Sequence, residues 1–109
     1  MPEVARILML SGADLIAWPS SFSSPLGAEK ANLLARCRAD ENRLFLVHAN
    51  PVRSSIVSPN GAFLAQALPG EEMAISALVN LAFSRFKDMA PGTNPVLNRT
   101  PSLFKELTS

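Results

Sequence analysis

An α/β fold is predicted for this 109-residue chain by three observations. Residues 33–50, LLARCRADENRLFLVHAN, read as a helix passing through a short polar turn into an apolar strand. Residues 2–18 show the same helix-then-strand order on a smaller scale. Pro59-Asn60-Gly61 then marks a change to hairpins, because Asn-Gly accepts the positive φ values of a tight turn. Helix and strand following each other within so few residues imply return crossovers, the repeating step of an α/β layer.

Taken in order, Pro2 suits the first position of a helix, where its missing N–H costs nothing, and Glu3 suits the positive end of the dipole. Val4, Ile7, Leu8 and Leu10 supply an apolar side, and Gly12 is expected as the cap. Residues 15–18, LIAW, make a short buried strand stopped by Pro19. Residues 19–27 form a serine-rich loop with Pro25 and Gly27 as breakers, either the rim of a pocket or a solvated connector. A helix follows over residues 28–43. Leu33, Leu34, Cys37 and Glu41 fall at steps of three and four and so are expected to share its core face. Leu44, Phe45, Leu46 and Val47 lack polar alternation, which suits a strand covered on both sides and running to Asn50 before Pro51.

The second half is expected to be an antiparallel meander. Residues 54–57 and 63–67 pair across the Asn-Gly turn, and a third strand over residues 73–79 follows a turn at Pro69-Gly70. Residues 81–87 make a short helix offering Leu81, Phe83 and Phe86 for packing. Three prolines and a glycine within residues 90–101 imply an extended arm, ending in apolar Leu103, Phe104 and Leu107 that dock on something. The division is therefore a partial α/β domain over residues 1–89 and an arm over residues 90–109.

Composition narrows the function. Hydrophobic residues make up 48% and charged residues 17% of the chain, whereas ordinary domains carry about 25% charge. Either the core is unusually apolar or another chain completes the surface. The second is favoured, because small domains have the least interior in which to hide apolar groups. The net charge of +1, without a basic block, argues against nucleic acid. One cysteine permits no internal disulfide and implies a reducing, cytoplasmic setting. One His and one Cys make a metal site unpromising, and no cofactor is implied. No basic segment precedes an apolar run at Met1-Pro2-Glu3, so no secretory signal is expected, and residues 73–83 are too short to span a bilayer.

Five segments in order resemble the second half of a nitrilase-superfamily carbon–nitrogen hydrolase. Pro2-Glu3 and its helix resemble the segment just after that family's catalytic cysteine. Gly12-Ala13-Asp14-Leu15-Ile16 with Trp18-Pro19 resembles its helix–strand–proline signature, and Arg38-Ala39-Asp40-Glu41-Asn42 its signature helix. Ser55-Ile56-Val57-Ser58-Pro59-Asn60-Gly61 resembles its hairpin, and Arg99-Thr100-Pro101-Ser102-Leu103-Phe104 its tail. The resemblance implies half of a four-layer αββα sandwich, with strands such as residues 44–49 left open on one side. It also implies a glutamate base, a lysine and a cysteine nucleophile that all lie upstream of Met1, so no catalytic residue is carried over. Three outcomes follow: a truncated, self-associating module that is non-catalytic alone, a dimer or higher; half of a split amidase completed by a separate N-terminal chain; or a binding or scaffold protein that kept the fold and lost the chemistry.

Within this chain the expected pocket rim is Trp18, Ser20, Ser21, His48 and Asn50, while Arg38, Glu41 and Asn42 form a structural motif. Cys37 and His48 are the residue types of a nucleophile and its base. Cys37 on the apolar stripe reads instead as a small core residue, and His48 as a satisfied buried or rim histidine. Glu41 reads as a buried carboxylate paired with an arginine or backbone N–H groups, and Glu71-Glu72 as a solvated turn. Asn50 before Pro51 reads as a loop tie.

Overall fold

The computed structural model describes residues 2–21, 25–68 and 72–87. The Pro69-Gly70 turn, Glu71 and the 90–109 arm with its apolar end lie outside them. Helix α1 (Pro2–Leu10) leads to strand β1 (Leu15–Pro19), helix α2 (Pro25–Asn42), strand β2 (Phe45–Ala49), strand β3 (Ser55–Val57) and strand β4 (Phe63–Gln66), followed by a 3-10 turn at Leu81–Arg85. The strands form one sheet in the order β1-β2-β3-β4. β1 and β2 are parallel, and the other neighbours antiparallel. This is the expected α/β layer.

Two caps and one turn fix the chain's direction. Gly12, at φ 105°, ends α1, with its N–H bonded to Met9 O and the next N–H, of Ala13, to Leu8 O. Those two bonds satisfy carbonyls that a helix end leaves unpaired. At the end of α2 the same pair of bonds runs from Arg43 N to Asp40 O and from Leu44 N to Ala39 O, and here Arg43 takes the positive φ of 52°. Gly61, at φ 81°, closes the β3–β4 turn, where Ser58 and Ala62 are hydrogen-bonded.

The core differs from the expected one in its helix face. Helix α2 starts at Pro25, three residues earlier than expected, because proline in a first turn sacrifices no helical hydrogen bond. Its buried positions are Ala31, Asn32, Ala35, Ala39 and Asn42, while Leu33 is 60% exposed and Cys37 is exposed. Alanines four residues apart let the helix approach the sheet closely, over Leu46 and Val57. Leucines at those positions would hold it away. The leucine pair therefore points outward.

Further expectations are corrected. Among the described residues β1 is an edge strand, with β2 its one strand neighbour and Leu15, Ala17 and Pro19 exposed. β2 is covered on both faces over residues 44–47, as expected, with Val47 half-buried, and it opens only at its end. Phe45 and Leu46 are buried and Ala49 is exposed. Phe45 is covered within this chain, in a cleft of about 610 Å³ shared with Leu64, Leu78, Phe83 and Phe86, so the expected open side is reduced to the outer positions of β1, the end of β2 and Leu64 of β4. Residues 73–79 form no strand. Leu81, Phe83 and Phe86 remain largely exposed rather than packed.

The Arg38-Glu41-Asn42 group ties the helices together. Arg38 Nη1 lies 2.8 Å from Glu41 Oε1, Asn42 Nδ2 donates to Arg38 O (2.8 Å), and Arg6 of α1 donates to Glu41 O (3.1 Å). Glu41 has the expected arginine partner but remains 39% exposed rather than buried. Lys87 Nζ donates to the carbonyls of Asn42 and Arg43, so a cation closes the negative end of α2. Burial pushes that ammonium below its ordinary value, against the pull of Asp14. Among the described residues no helix is long and apolar enough to cross a membrane.

Candidate functional site

The parallel pairing of β1 with β2 sets Trp18 beside His48 in register. Ile16, Trp18, Leu46 and His48 alternate with the exposed positions of β1 and lie on the α2 side of the sheet. The Trp18 and His48 rings stack, with centroids 4.6 Å apart and planes 27° from parallel. Trp18 also lines an apolar hollow of about 340 Å³ with Val4, Leu8, Leu34 and Leu46.

Ser20 follows β1 and extends its ladder, donating its backbone N–H to Ala49 O at 2.8 Å. This places Ser20 Oγ 2.8 Å from His48 Nε2. Asn50 follows β2 in the same way. Its Oδ1 accepts from the N–H groups of Val52 and Arg53, a side-chain turn that ties the loop after Pro51. Its Nδ2 donates to Ser20 Oγ at 2.8 Å. From α2, Asn32 Oδ1 lies 3.3 Å from His48 Nδ1 and also accepts from Ser55 Oγ at 3.4 Å.

These bonds select one state of the ring. With Oγ accepting from Asn50, the Ser20 O–H points to Nε2, and Nδ1–H then donates to Asn32. The neutral imidazole carries one donor and one acceptor, and both are used. His48 is 1% exposed, and burial pushes its pKa below the ordinary histidine value, so the neutral form prevails at pH 7. The result is a buried base beneath a half-buried serine, held by an amide on each side.

Of the expected rim, Trp18, Ser20, His48 and Asn50 converge, while Ser21 lies exposed beyond them. The Cys37–His48 pairing is not formed. Cys37 is exposed on the outer side of α2, whereas His48 meets the buried side through Asn32. Asn32 and Ser55 belong to the site and are absent from the expected set. Asn32 carried one signal, a polar residue next to the alanine stripe, and Ser55 lies opposite His48 across the β2–β3 ladder.

Comparison with known proteins agrees with this architecture. A carbon–nitrogen hydrolase family model matches residues 1–86. The omega-amidase NIT3 of Saccharomyces cerevisiae is 30% identical over 103 residues, which cover 84% of this chain and 35% of that protein. The omega-amidase NIT2 of Xenopus tropicalis is 33% identical over 92 residues, covering 74% of this chain and 33% of that protein. The chain thus spans about a third of the length of these relatives. Among solved structures, the carbon–nitrogen hydrolase from Helicobacter pylori G27 superposes with a TM-score of 0.80 at 24% identity, over all of this chain and 45% of that one. The Caenorhabditis elegans NitFhit protein superposes with a TM-score of 0.78 at 27% identity, over 94% of this chain and 27% of that one.

Proposed function

The chain belongs to the carbon–nitrogen hydrolase family, and on that premise we propose that it is a family module with no amidase or nitrilase activity of its own, which covers its apolar surface by self-association. The observation that carries this reading is the placement of Cys37. The chain's one thiol stands exposed on the outer side of α2, where no base meets it among the described residues. A cysteine nucleophile needs a base in hydrogen-bond reach. His48, the chain's one histidine, is committed to Ser20 and Asn32.

Self-association is supported by the outward apolar side chains of the two helices. Val4, Ile7 and Leu8 on α1 and Leu33 and Leu34 on α2 are all exposed. At about 25 cal/mol per Å² of apolar area, burying several hundred Å² against a second copy contributes many kcal/mol before association costs are set against it. The reducing setting in which a lone thiol persists is the cytoplasm.

A second reading is favoured by the bare outer face of β1, Leu15, Ala17 and Pro19. There a separate chain would supply the rest of the sandwich and the reactive groups of a split amidase, and Trp18, Ser20, Ser21, His48 and Asn50 would form part of its pocket wall. One experiment separates the two. Ammonia release from small ω-amides, of the kind the relatives' names indicate, is measured for the purified chain and for the chain with its co-purifying proteins. No release in either sample supports the self-associating module. Release in the mixture alone supports the split enzyme, and release by the pure chain overturns both.

A further inference from the structure

The Ser20–His48–Asn32 arrangement has a chemistry that neither reading above uses. A serine hydroxyl becomes nucleophilic when a neutral imidazole accepts its proton and a third group holds the imidazole in the required tautomer. Here Ser20 Oγ lies 2.8 Å from His48 Nε2, and His48 Nδ1 lies 3.3 Å from Asn32 Oδ1. Asn32 is itself fixed by Ser55, and Trp18 stacks on the imidazole, so the ring cannot turn without breaking several contacts at once. Ser20 is half-buried over a fully buried base, so the serine is the nearer of the two to solvent.

We propose that Ser20 is an activated nucleophile and a covalent modification site for small activated carboxylic esters, with His48 as its base and Asn32 positioning that base. In the step, Oγ attacks the ester carbonyl carbon while the Ser20 proton passes to His48 Nε2. The tetrahedral adduct collapses with cleavage of the bond from carbonyl carbon to leaving oxygen. The alkoxide or phenolate departs, the acyl group stays on Oγ, and His48 releases its proton to solvent. Asn50 Nδ2 holds a lone pair of Oγ and so aims the hydroxyl hydrogen at the imidazole.

The probe is p-nitrophenyl acetate, applied to the full chain carrying Cys37→Ser so that the exposed thiol does not compete. The expected result is one acetyl group per chain, mapped by peptide mass analysis to Ser20. The rate should be flat above neutral pH and fall in acid as His48 takes up a proton. Ser20→Ala should abolish that label, and His48→Gln should slow it by about 100-fold or more, the usual worth of a positioned base. Because His48→Gln empties a buried site and could unfold the chain, the Ser20 map and the pH profile decide by themselves. Acetyl groups found only on other residues, or a Ser20 rate that climbs about tenfold per pH unit to pH 9 as unassisted hydroxide chemistry would, overturn the proposal. The failure of this test leaves the amidase and association measurements untouched, and their failure leaves it standing.

Discussion

At the scale of single residues, His48 links the site to stability. Its imidazole is buried and neutral, with its pKa held below the unfolded value by burial. In such a case the unfolded chain binds the proton more readily than the folded one. The contribution of His48 is therefore complete above the unfolded value, near 6.5, and is lost as pH falls from there through the folded value. Urea midpoints measured from pH 7.5 down to pH 5 should decline across that window. Buried His48→Gln should lower the midpoint at pH 7.5 and remove the His48 part of the decline. A decline of unchanged slope in the variant would place the acid sensitivity in other groups. The glycines supply a second prediction. Gly12 has φ 105° and open space around a would-be Cβ, so Gly12→Ala should cost about 1–2 kcal/mol from backbone strain alone. Gly61 has φ 81°, and a Cβ there would stand 3.3 Å from Asp40 Cβ and 3.4 Å from Arg36 O. Gly61→Ala should cost more than Gly12→Ala in the same urea titration, since contact is added to strain.

At the scale of elements, α2 shows what a sequence pattern can and cannot convey. Gly12, Pro51 and Pro59-Asn60-Gly61 mark boundaries through backbone chemistry, which is local, and the helices and hairpin stand close to where they were expected. The buried face of α2 is not local. Leu33, Leu34 and Cys37 and the Ala31, Ala35, Ala39 set both recur at helical spacing, and the sheet selects between them by how close the helix must come. Residues 73–79 have strand composition but no ladder, because a strand needs a partner edge and β4 offers no pairing to them. The site divides along the same line. Trp18, Ser20, His48 and Asn50 were legible as strand ends, whereas Asn32 and Ser55 depend on helix phase and cross-strand register. The phase of α2 has a direct consequence. Ala39→Leu should cost about 1–3 kcal/mol by overpacking against Leu46 and Val57. Leu33→Ala, on the outer side, should change the stability of the dilute chain by about 0.5 kcal/mol or less. If Leu33→Ala proved the costlier of the two at low concentration, the leucine face would be the buried one.

At the scale of the whole molecule, the same leucine face carries a different prediction. Val4, Ile7 and Leu8 of α1 and Leu33 and Leu34 of α2 leave apolar area exposed on both helices, while their inward positions are Ala5, Met9, Ala31, Ala35 and Ala39. A chain of 109 residues buries roughly two-thirds of its unfolded surface when it folds alone. Val4, Leu8 and Leu34 line one hollow, and apolar surface left outside in this way favours association over exposure to water. Sedimentation equilibrium at micromolar concentration should accordingly give a mass of at least twice the 11.7 kDa of one chain. Ile7→Asp with Leu33→Asp places two charges on that face while leaving Ala31, Ala35 and Ala39 in place. It should shift the mass toward one chain with little change in circular dichroism, because neither side chain is part of the buried layer. An unchanged mass would move the contact to the bare edge of β1, where Ala17→Asp is the matching substitution. A wild-type mass of one chain at those concentrations would remove self-association from the account altogether.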